Sequence, residues 1–411
     1  SPLEPPLAGI IAILLLCING RFYMISIVIP SRNDDIEVFQ KTINAIKNQT
    51  VLPKEIIIVD SSTDNSIKNF LQKQKFKLIN LIYKKIDGSF AGKSTNVGMS
   101  LATQKFIGLL DTKTIPNDTW IEKYIAQLEG DNSDLIFGNT KFFSKNKFQK
   151  ILRILSYGDA SHETVPGTIF KRSKFSKKMF FIENVRSSYD IEWRERQKTL
   201  LKTSIGNEIE IEYGEFPNSF LDAAKKYFIY SFYTAIVNVQ KDAKDLYLSI
   251  FIILSALVIP RWNFFLEGWD ENPLYIADVT KKYFLSLLVI FLSFLIASRF
   301  FPKQVENRLP FITLKYTVFL FIFLSVFNWN SVVADWVEDT VFYIPHITKI
   351  FVVLVLVSSI LVRGLFKPVS NKVKLNYLLP VRWLFIGTIG LMLDIIKAPG
   401  YIIGSLISKF R

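Results

Sequence analysis

The chain has 411 residues, 50% of them hydrophobic, with a mean hydropathy of +0.26 and a formal net charge of +14. One cysteine, Cys17, excludes an internal disulfide and a cysteine-based zinc site, and two distant histidines, His162 and His346, exclude a histidine-rich metal cluster. That much apolar residue is more than an ordinary soluble protein carries. With no recognised DNA or RNA module, the basic excess points to membrane-flanking loops, anionic headgroups or an anionic nucleotide, and not to nucleic acid.

Leu7 to Ile18 is an apolar run shorter than the ~20 residues that span a bilayer. It follows Glu4 and lacks a basic start, so residues 1–22 read as an interfacial or buried segment rather than a signal peptide. Residues 23–219 then read as an α/β domain. Ile25 to Ile29 is a β-branched strand that stops at Pro30-Ser31-Arg32-Asn33. A helix follows, with Ile36, Phe39, Ile43 and Ile46 at spacings of three and four. Glu55 to Val59 is a second buried strand, closed by Asp60-Ser61-Ser62-Thr63-Asp64, and Asp64 is placed to cap the helix bearing Ile67, Phe70 and Leu71. A third strand, Leu78 to Tyr83, leads through Gly88 to Lys93 and Asn96 at the head of another helix. A fourth, Lys105 to Leu110, ends at Asp111. This alternation predicts a mostly parallel central sheet flanked by helices, with Asp60, Lys93 and Asp111 gathered at its carboxyl edge.

From residue 220 the pattern changes. Phe220, Ala223, Ala224, Phe228 and Phe232, with Lys225, Lys226 and Lys241 nearby, make residues 220–245 either an interfacial amphipathic helix or a connector packed on the head. Residues 246–411 hold five apolar stretches: Leu246–Pro260, Tyr283–Phe301, Phe311–Phe327, Ile347–Val362 and Leu378–Ile396. They predict an α-helical membrane domain of four to five spans. The connection before the fourth stretch carries Asp335, Glu338 and Asp339, whereas the one after it carries Arg363, Lys367, Lys372 and Lys374 and no acid. Basic loops stay cytoplasmic, so the expected arrangement is an integral protein of the plasma (inner) membrane with its soluble head inside.

Over residues 24–200 the chain resembles the family 2 glycosyltransferases of GT-A fold. The resemblance is carried by Ile27-Val28-Ile29-Pro30-Ser31-Arg32-Asn33, Ile58-Val59-Asp60-Ser61-Ser62-Thr63-Asp64, Lys93-Ser94-Thr95-Asn96-Val97-Gly98 and Leu110-Asp111-Thr112-Lys113, in that order. It implies a nucleotide-sugar donor held by Pro30, Ser31, Arg32, Asn33, Asp60, Lys93, Asn96, Asp111 and Lys113. The family's Asp-x-Asp motif, whose last acid helps hold a divalent metal on the diphosphate, here reads Asp111-Thr112-Lys113. Three readings stay open: Lys113 supplies the charge of the metal, Asp111 with a nearby side chain still binds Mg²⁺ or Mn²⁺ through the phosphates, or Lys113 is a surface lysine without a role.

The resemblance extends to the acceptor side. Ser161 to Thr168 is similar to the loop beneath donor sugar and acceptor, and Tyr189-Asp190-Ile191-Glu192-Trp193-Arg194-Glu195-Arg196 is similar to the family's Glu-Asp motif followed by Trp and Arg. By this likeness Asp190 is the catalytic base of an inverting displacement, and Gly167, Thr168, Trp193 and Arg196 meet the acceptor. Read from the residues alone, Asp190 is also suited to cap a helix or pair with Arg194; Arg186, Arg194 and Arg196 suit either phosphate contact or a solvated face. Gly88 to Thr95 imitates a P-loop but has Asp87 where the motif needs its first glycine. The Gln-x-x-Arg-Trp motif of processive synthases is missing between Asp190 and the first apolar stretch, which favours transfer of one sugar per encounter. The resulting expectation is a lipid-linked saccharide acceptor used in cell-surface polysaccharide or glycolipid synthesis. The alternatives are a polyprenyl-phosphate acceptor, or a non-catalytic nucleotide-sugar-binding scaffold or transporter.

Overall fold

Ile25, Ile27 and Ile29 alternate with Ser26 and Val28 along the first strand, and both sets are buried, so this strand needs cover on two faces. The computed structural model describes residues 22–76, 79–237, 239 and 356–409. The segment 1–21 and the first three apolar stretches lie outside the described residues, as does most of the fourth. The chain divides into two compact units, residues 1–220 with 368–373 and residues 221–367 with 374–411.

The first unit is built on one nine-stranded sheet. In chain order its elements are β1 (Phe22–Ser31), α1 (Ile36–Lys47), β2 (Leu52–Asp60), α2 (Ser66–Gln72), β3 (Asn80–Lys85), α3 (Ala91–Leu101), β4 (Phe106–Leu109), β5 (Thr114–Pro116), α4 (Trp120–Gly130), β6 (Leu135–Phe142), α5 (Lys147–Ser156), β7 (Ser161–Lys171), α6 (Tyr189–Leu200), β8 (Thr203–Ile205) and β9 (Ile211–Tyr213). The strand order is β3-β2-β1-β4-β7-β6-β9-β5, with β8 beside β6. The first four strands are parallel, as expected. In the rest, β6 runs parallel to β8 and β9, while β7 runs antiparallel to both β4 and β6, and β5 antiparallel to β9. The sheet is therefore mixed, with parallel pairings in the majority. Strand β7 follows a helix that does not cross over in the βαβ sense, and its long pairing with β6 satisfies the backbone instead.

Burial alternates along β2. Ile56 and Ile58 join Ile27, Ile29, Phe39, Ile43 and Trp120 on one face, while Ile57 and Val59 join Val28, Met99 and Trp193 on the other. Helices α1, α2 and α4 thus cover the first face, and α3 and α6 the second. Gly98 lets α3 lie close on the sheet: a Cβ there would collide with Val28 Cγ1 and meet Val59 Cγ2 at 3.3 Å. Residues 368–373 also belong to this unit. The Asn371 carbonyl accepts the N–H groups of Asp159 at 2.9 Å and Ala160 at 3.1 Å, just ahead of β7.

In the second unit, α7 (Phe220–Val237) packs along α8 (Arg382–Lys409): Ser231 Oγ donates to the Lys397 carbonyl at 2.8 Å, and Gly400 sits against Phe228. Within α8, residues Arg382–Ser405 form a 24-residue stretch with a mean hydropathy of 1.4 in its most apolar window, long enough to cross a ~30 Å hydrocarbon layer. It is the one such helix among the described residues, and it overlaps the fifth predicted stretch from Arg382 to Ile396.

Replacing Gly98 by Val should force α3 off the sheet and cost about 1–3 kcal/mol. The expected readout is a lower thermal midpoint of the detergent-solubilised chain; an unchanged midpoint would mean that the α3 contact is not close.

Candidate active site at the exit edge of the sheet

The turns after β1 and β2 are laced together. Ser61 N–H donates to the Ser31 carbonyl at 2.8 Å, Asn33 N–H to Ser62 Oγ at 2.7 Å, and Thr63 N–H to Asn33 Oδ1 at 2.9 Å. Asn33 holds a left-handed φ of 50°, a conformation asparagine tolerates better than most side chains. Pro30 enters this turn half-buried and Ser31 is buried in it, so both shape the backbone. Arg32 stays exposed, its guanidinium 5.3 Å from the Phe90 ring centre and 3.3 Å from the Ser89 carbonyl.

Asp60 ends β2 fully buried. Its carboxylate accepts from Ser62 N–H at 2.8 Å, Tyr83 Oη at 2.8 Å and Lys85 Nζ at 3.2 Å. Burial works to raise its pKa, but the Ser62, Tyr83 and Lys85 hydrogen bonds together outweigh burial and hold it below the usual range. A carboxylate with no exposed surface and three donors is a hub of the loops.

The β4–β5 turn is held from α1, where Thr42 Oγ1 donates to the Thr112 and Thr114 carbonyls at 2.9 and 3.0 Å. In that turn Asp111 accepts from Lys113 N–H at 3.1 Å, and Lys113 Nζ lies 3.9 Å from Asp34 Oδ1. Asp34 was not among the sequence candidates. Its other oxygen accepts from Ser31 Oγ and Arg32 N–H, both at 3.0 Å, which aims it at the turn. Burial raises the Asp111 carboxyl, the Lys113 charge opposes this, and the Asp34 charge adds to the rise. Two carboxylates and one ammonium group thus share this corner. No group of three His, Cys, Asp or Glu suited to a metal occurs among the described residues. With an ammonium beside its only two acids, the donor set does not fit a protein-held divalent ion, so Asp111 is not assigned as a metal ligand.

On the other face, Asp190 lies in the first turn of α6, whose preceding residue Ser188 has a φ of 65°. Burial raises the Asp190 carboxyl, against the Ile191 and Asp190 N–H groups and the Arg194 charge. The ion-pair partner of Arg194 is Glu163, at 3.1 Å, and Lys198 Nζ also reaches Glu163, at 2.7 Å. Helix direction places Asp190. Past the far end of α6, the Lys202 carbonyl accepts Asp134 N–H at 2.8 Å, and the Asp134 carbonyl accepts Lys171 N–H at 3.1 Å. Lys171 is registered with Phe106, the first residue of β4. The opposite end of α6 is about 18 Å away, and four residues after Asp190 the Arg194 side chain meets Glu163, which lies on β7 beyond the residues paired with β4, toward the carboxyl end of that strand. Lys93, exposed in the first turn of α3, reaches the same edge because β3 ends level with Asp60.

Several residues expected to meet donor or acceptor also hold the fold together. Asn96 is buried and clamps residues 181–183, accepting Phe181 N–H at 2.7 Å and donating to the Phe181 carbonyl at 2.9 Å and to Glu183 at 3.0 Å. Trp193 is fully buried; its indole N–H donates to the Met179 carbonyl at 2.6 Å, and its ring stacks on Phe181 at 4.7 Å. Arg196 is spent on Glu192 at 2.6 Å and the Phe180 carbonyl at 2.7 Å. Thr168 has no exposure. Gly167 adopts a φ of 89° against Ile211, and its carbonyl accepts the Trp120 indole N–H at 2.9 Å. The polar groups of these five are engaged inside the fold. Arg186 remains exposed.

Residues 26–190 match the family described as Glycosyl transferase family 2. A hyaluronan synthase of Pasteurella multocida is 32% identical over 98 residues, 24% of this chain and 10% of that protein. An uncharacterized glycosyltransferase of Methanocaldococcus jannaschii is 28% identical over 230 residues, 51% of this chain and 78% of that protein. Among solved structures, S. aureus TarS 1–349 in complex with UDP-GlcNAc is similar with a TM-score of 0.40 and 14% identity, covering 73% of this chain and 90% of that one. The chain spans about a tenth of the length of the hyaluronan synthase it matches. Residues 26–190 are thus similar to glycosyl transferase family 2, and the relatives support a transferase.

Proposed function

We propose that this chain is a membrane-bound inverting glycosyltransferase that moves a sugar from a cytoplasmic nucleotide-sugar to a hydroxyl of a lipid-linked saccharide. The observation that carries this reading is the Asp190 carboxyl, raised by burial, in the first turn of α6 and four residues before Arg194, which pairs with Glu163 on β7. A hydroxyl attacking an anomeric carbon must lose its proton as the new C–O bond forms and the bond to the diphosphate breaks. Asp190 takes that proton, and its raised pKa brings it nearer the operating pH than an ordinary aspartate. The leaving diphosphate gains charge in the same step. Lys113, with exposed Lys93 and Arg32 beside the same edge, meets that charge without a divalent ion.

The membrane part of the proposal is supported by the apolar span within α8 and by the sequence of residues 246–411, which carries four to five stretches near spanning length. The basic connection holding Arg363, Lys367, Lys372 and Lys374 favours the inner membrane with the head on the cytoplasmic side.

Asp190→Asn should lower turnover by about 10²–10⁴-fold while nucleotide-sugar binding is retained; unaltered turnover would leave a non-catalytic head as the better reading. Because the base must be ionised, activity should fall as pH drops through the Asp190 pKa. The acid limb of kcat/KM should therefore sit above the ~4 of an ordinary aspartate. A limb at or below that value would remove Asp190 from the role.

Activity should survive excess EDTA, and Lys113→Met should reduce it by about 10²-fold. Loss in EDTA with recovery on adding Mg²⁺ would overturn the metal-free mechanism. Bare polyprenyl phosphate is already an anion and needs no base, so efficient labelling of that carrier from radiolabelled donor would replace the saccharide acceptor.

A further inference from the structure

Asp190 and Arg194 stand four positions apart on α6, a carboxylate one turn ahead of a guanidinium. Helices make their more favourable ion pairs at that spacing and in that order. This helix does otherwise. Among the described residues no ion pair joins the two; Arg194 turns to strand β7 instead. Its Nε lies 3.1 Å from Glu163 Oε1, and its Nη1 donates to the Glu163 carbonyl at 2.7 Å. One residue thus grips the guanidinium at two points, by side chain and by backbone.

Both partners are fixed. Glu163 is registered with Asn139 on β6, and beside it His162 Nε2 stands 2.6 Å from the Tyr157 carbonyl. Lys198 Nζ, one turn beyond Arg194, reaches the same carboxylate at 2.7 Å. The rotation of α6 is set by Trp193, fully buried with its indole N–H on the Met179 carbonyl. The Glu163 side chain is 12% exposed and that of Arg194 28%, so the pair is partly sheltered and less screened by salt than one on an open surface. Other charges near the first turn of α6 are engaged elsewhere or face water. In the loop before it Glu183 is held by Asn96 and Arg186 is exposed; on the helix Glu192 is taken by Arg196.

We propose that Glu163 is a positioning residue for the transfer, drawing Arg194 off Asp190 and leaving that carboxylate free to take the acceptor's proton. The inference rests on the base reading of Asp190 and deepens it. In the step itself the acceptor O–H bond breaks, its proton passing to Asp190 and its electron pair forming the new C–O bond, while the anomeric bond breaks with its pair leaving on the diphosphate. A carboxylate already paired with a guanidinium holds its charge too firmly to accept a proton well. With the Glu163 charge removed, Arg194 swings back one turn onto Asp190.

In the detergent-solubilised full chain, the Asp190 carboxyl is titrated by ¹³C NMR, its signal identified by its loss in Asp190→Asn. Glu163→Gln keeps the shape and the backbone acceptor; it should lower the Asp190 midpoint by about one pH unit, with the acid limb of kcat/KM following. Adding Arg194→Met to that variant should return the midpoint to its original value or above. A purely structural Glu163 gives no such recovery. A midpoint unmoved in Glu163→Gln, or one that falls and is not restored by Arg194→Met, would overturn the proposal. Turnover lost in Asp190→Asn with an unmoved midpoint in Glu163→Gln defeats only this inference. A midpoint that moves and recovers, with turnover unaltered in Asp190→Asn, defeats the base reading and leaves the control of Arg194 by Glu163 standing.

Discussion

The carboxylate of Asp60 has no contact with water, and the arrangement of the exit edge depends on how its charge is met. A buried ion without partners would be untenable. Donors from three places, the Ser62 backbone, Tyr83 and Lys85, therefore have to converge on it. That requirement fixes the turn after β2 against the end of β3. The Ser31–Ser61 and Asn33–Ser62 hydrogen bonds then hand the same order to the turn after β1. From there Asp34 is presented to Lys113, so a charge balance set at one strand end is passed along the edge to the next.

Charges are used in two ways across the molecule. Asp60, Glu163 and Arg196 are satisfied inside the fold and act as fasteners. Asp111 and Asp190 are instead left with burial that raises their pKa, a state a scaffold has no use for and proton or phosphate chemistry does.

Much of the head was legible in the sequence because its signals are local. The runs Ile25–Ile29 and Glu55–Val59 and the three- and four-residue spacing from Ile36 to Ile46 fall on β1, β2 and α1. Acidic turns at Asp60 and Asp111 do end parallel strands. What escaped was long-range. The antiparallel β7 follows from pairing with β6, which no periodicity announces. Asp34 gains its meaning only from Lys113, far along the chain, although its place directly after Asn33 was a usable signal. Motif position also says nothing of orientation: Trp193 and Asn96 sit where the resemblance puts ligand contacts, yet their polar atoms are consumed by the carbonyls of Met179 and Phe181.

The Asn371 carbonyl receives two amide protons from the start of the β7 region, although it lies some two hundred residues downstream. An excised head ending near residue 220 would lack that acceptor, and water would have to take its place beside Gly158, whose left-handed backbone is pressed against Asn371. The first unit is thus not a contiguous stretch of polypeptide. Its last piece arrives only when the distal chain has been synthesised, so folding of the head finishes late in translation.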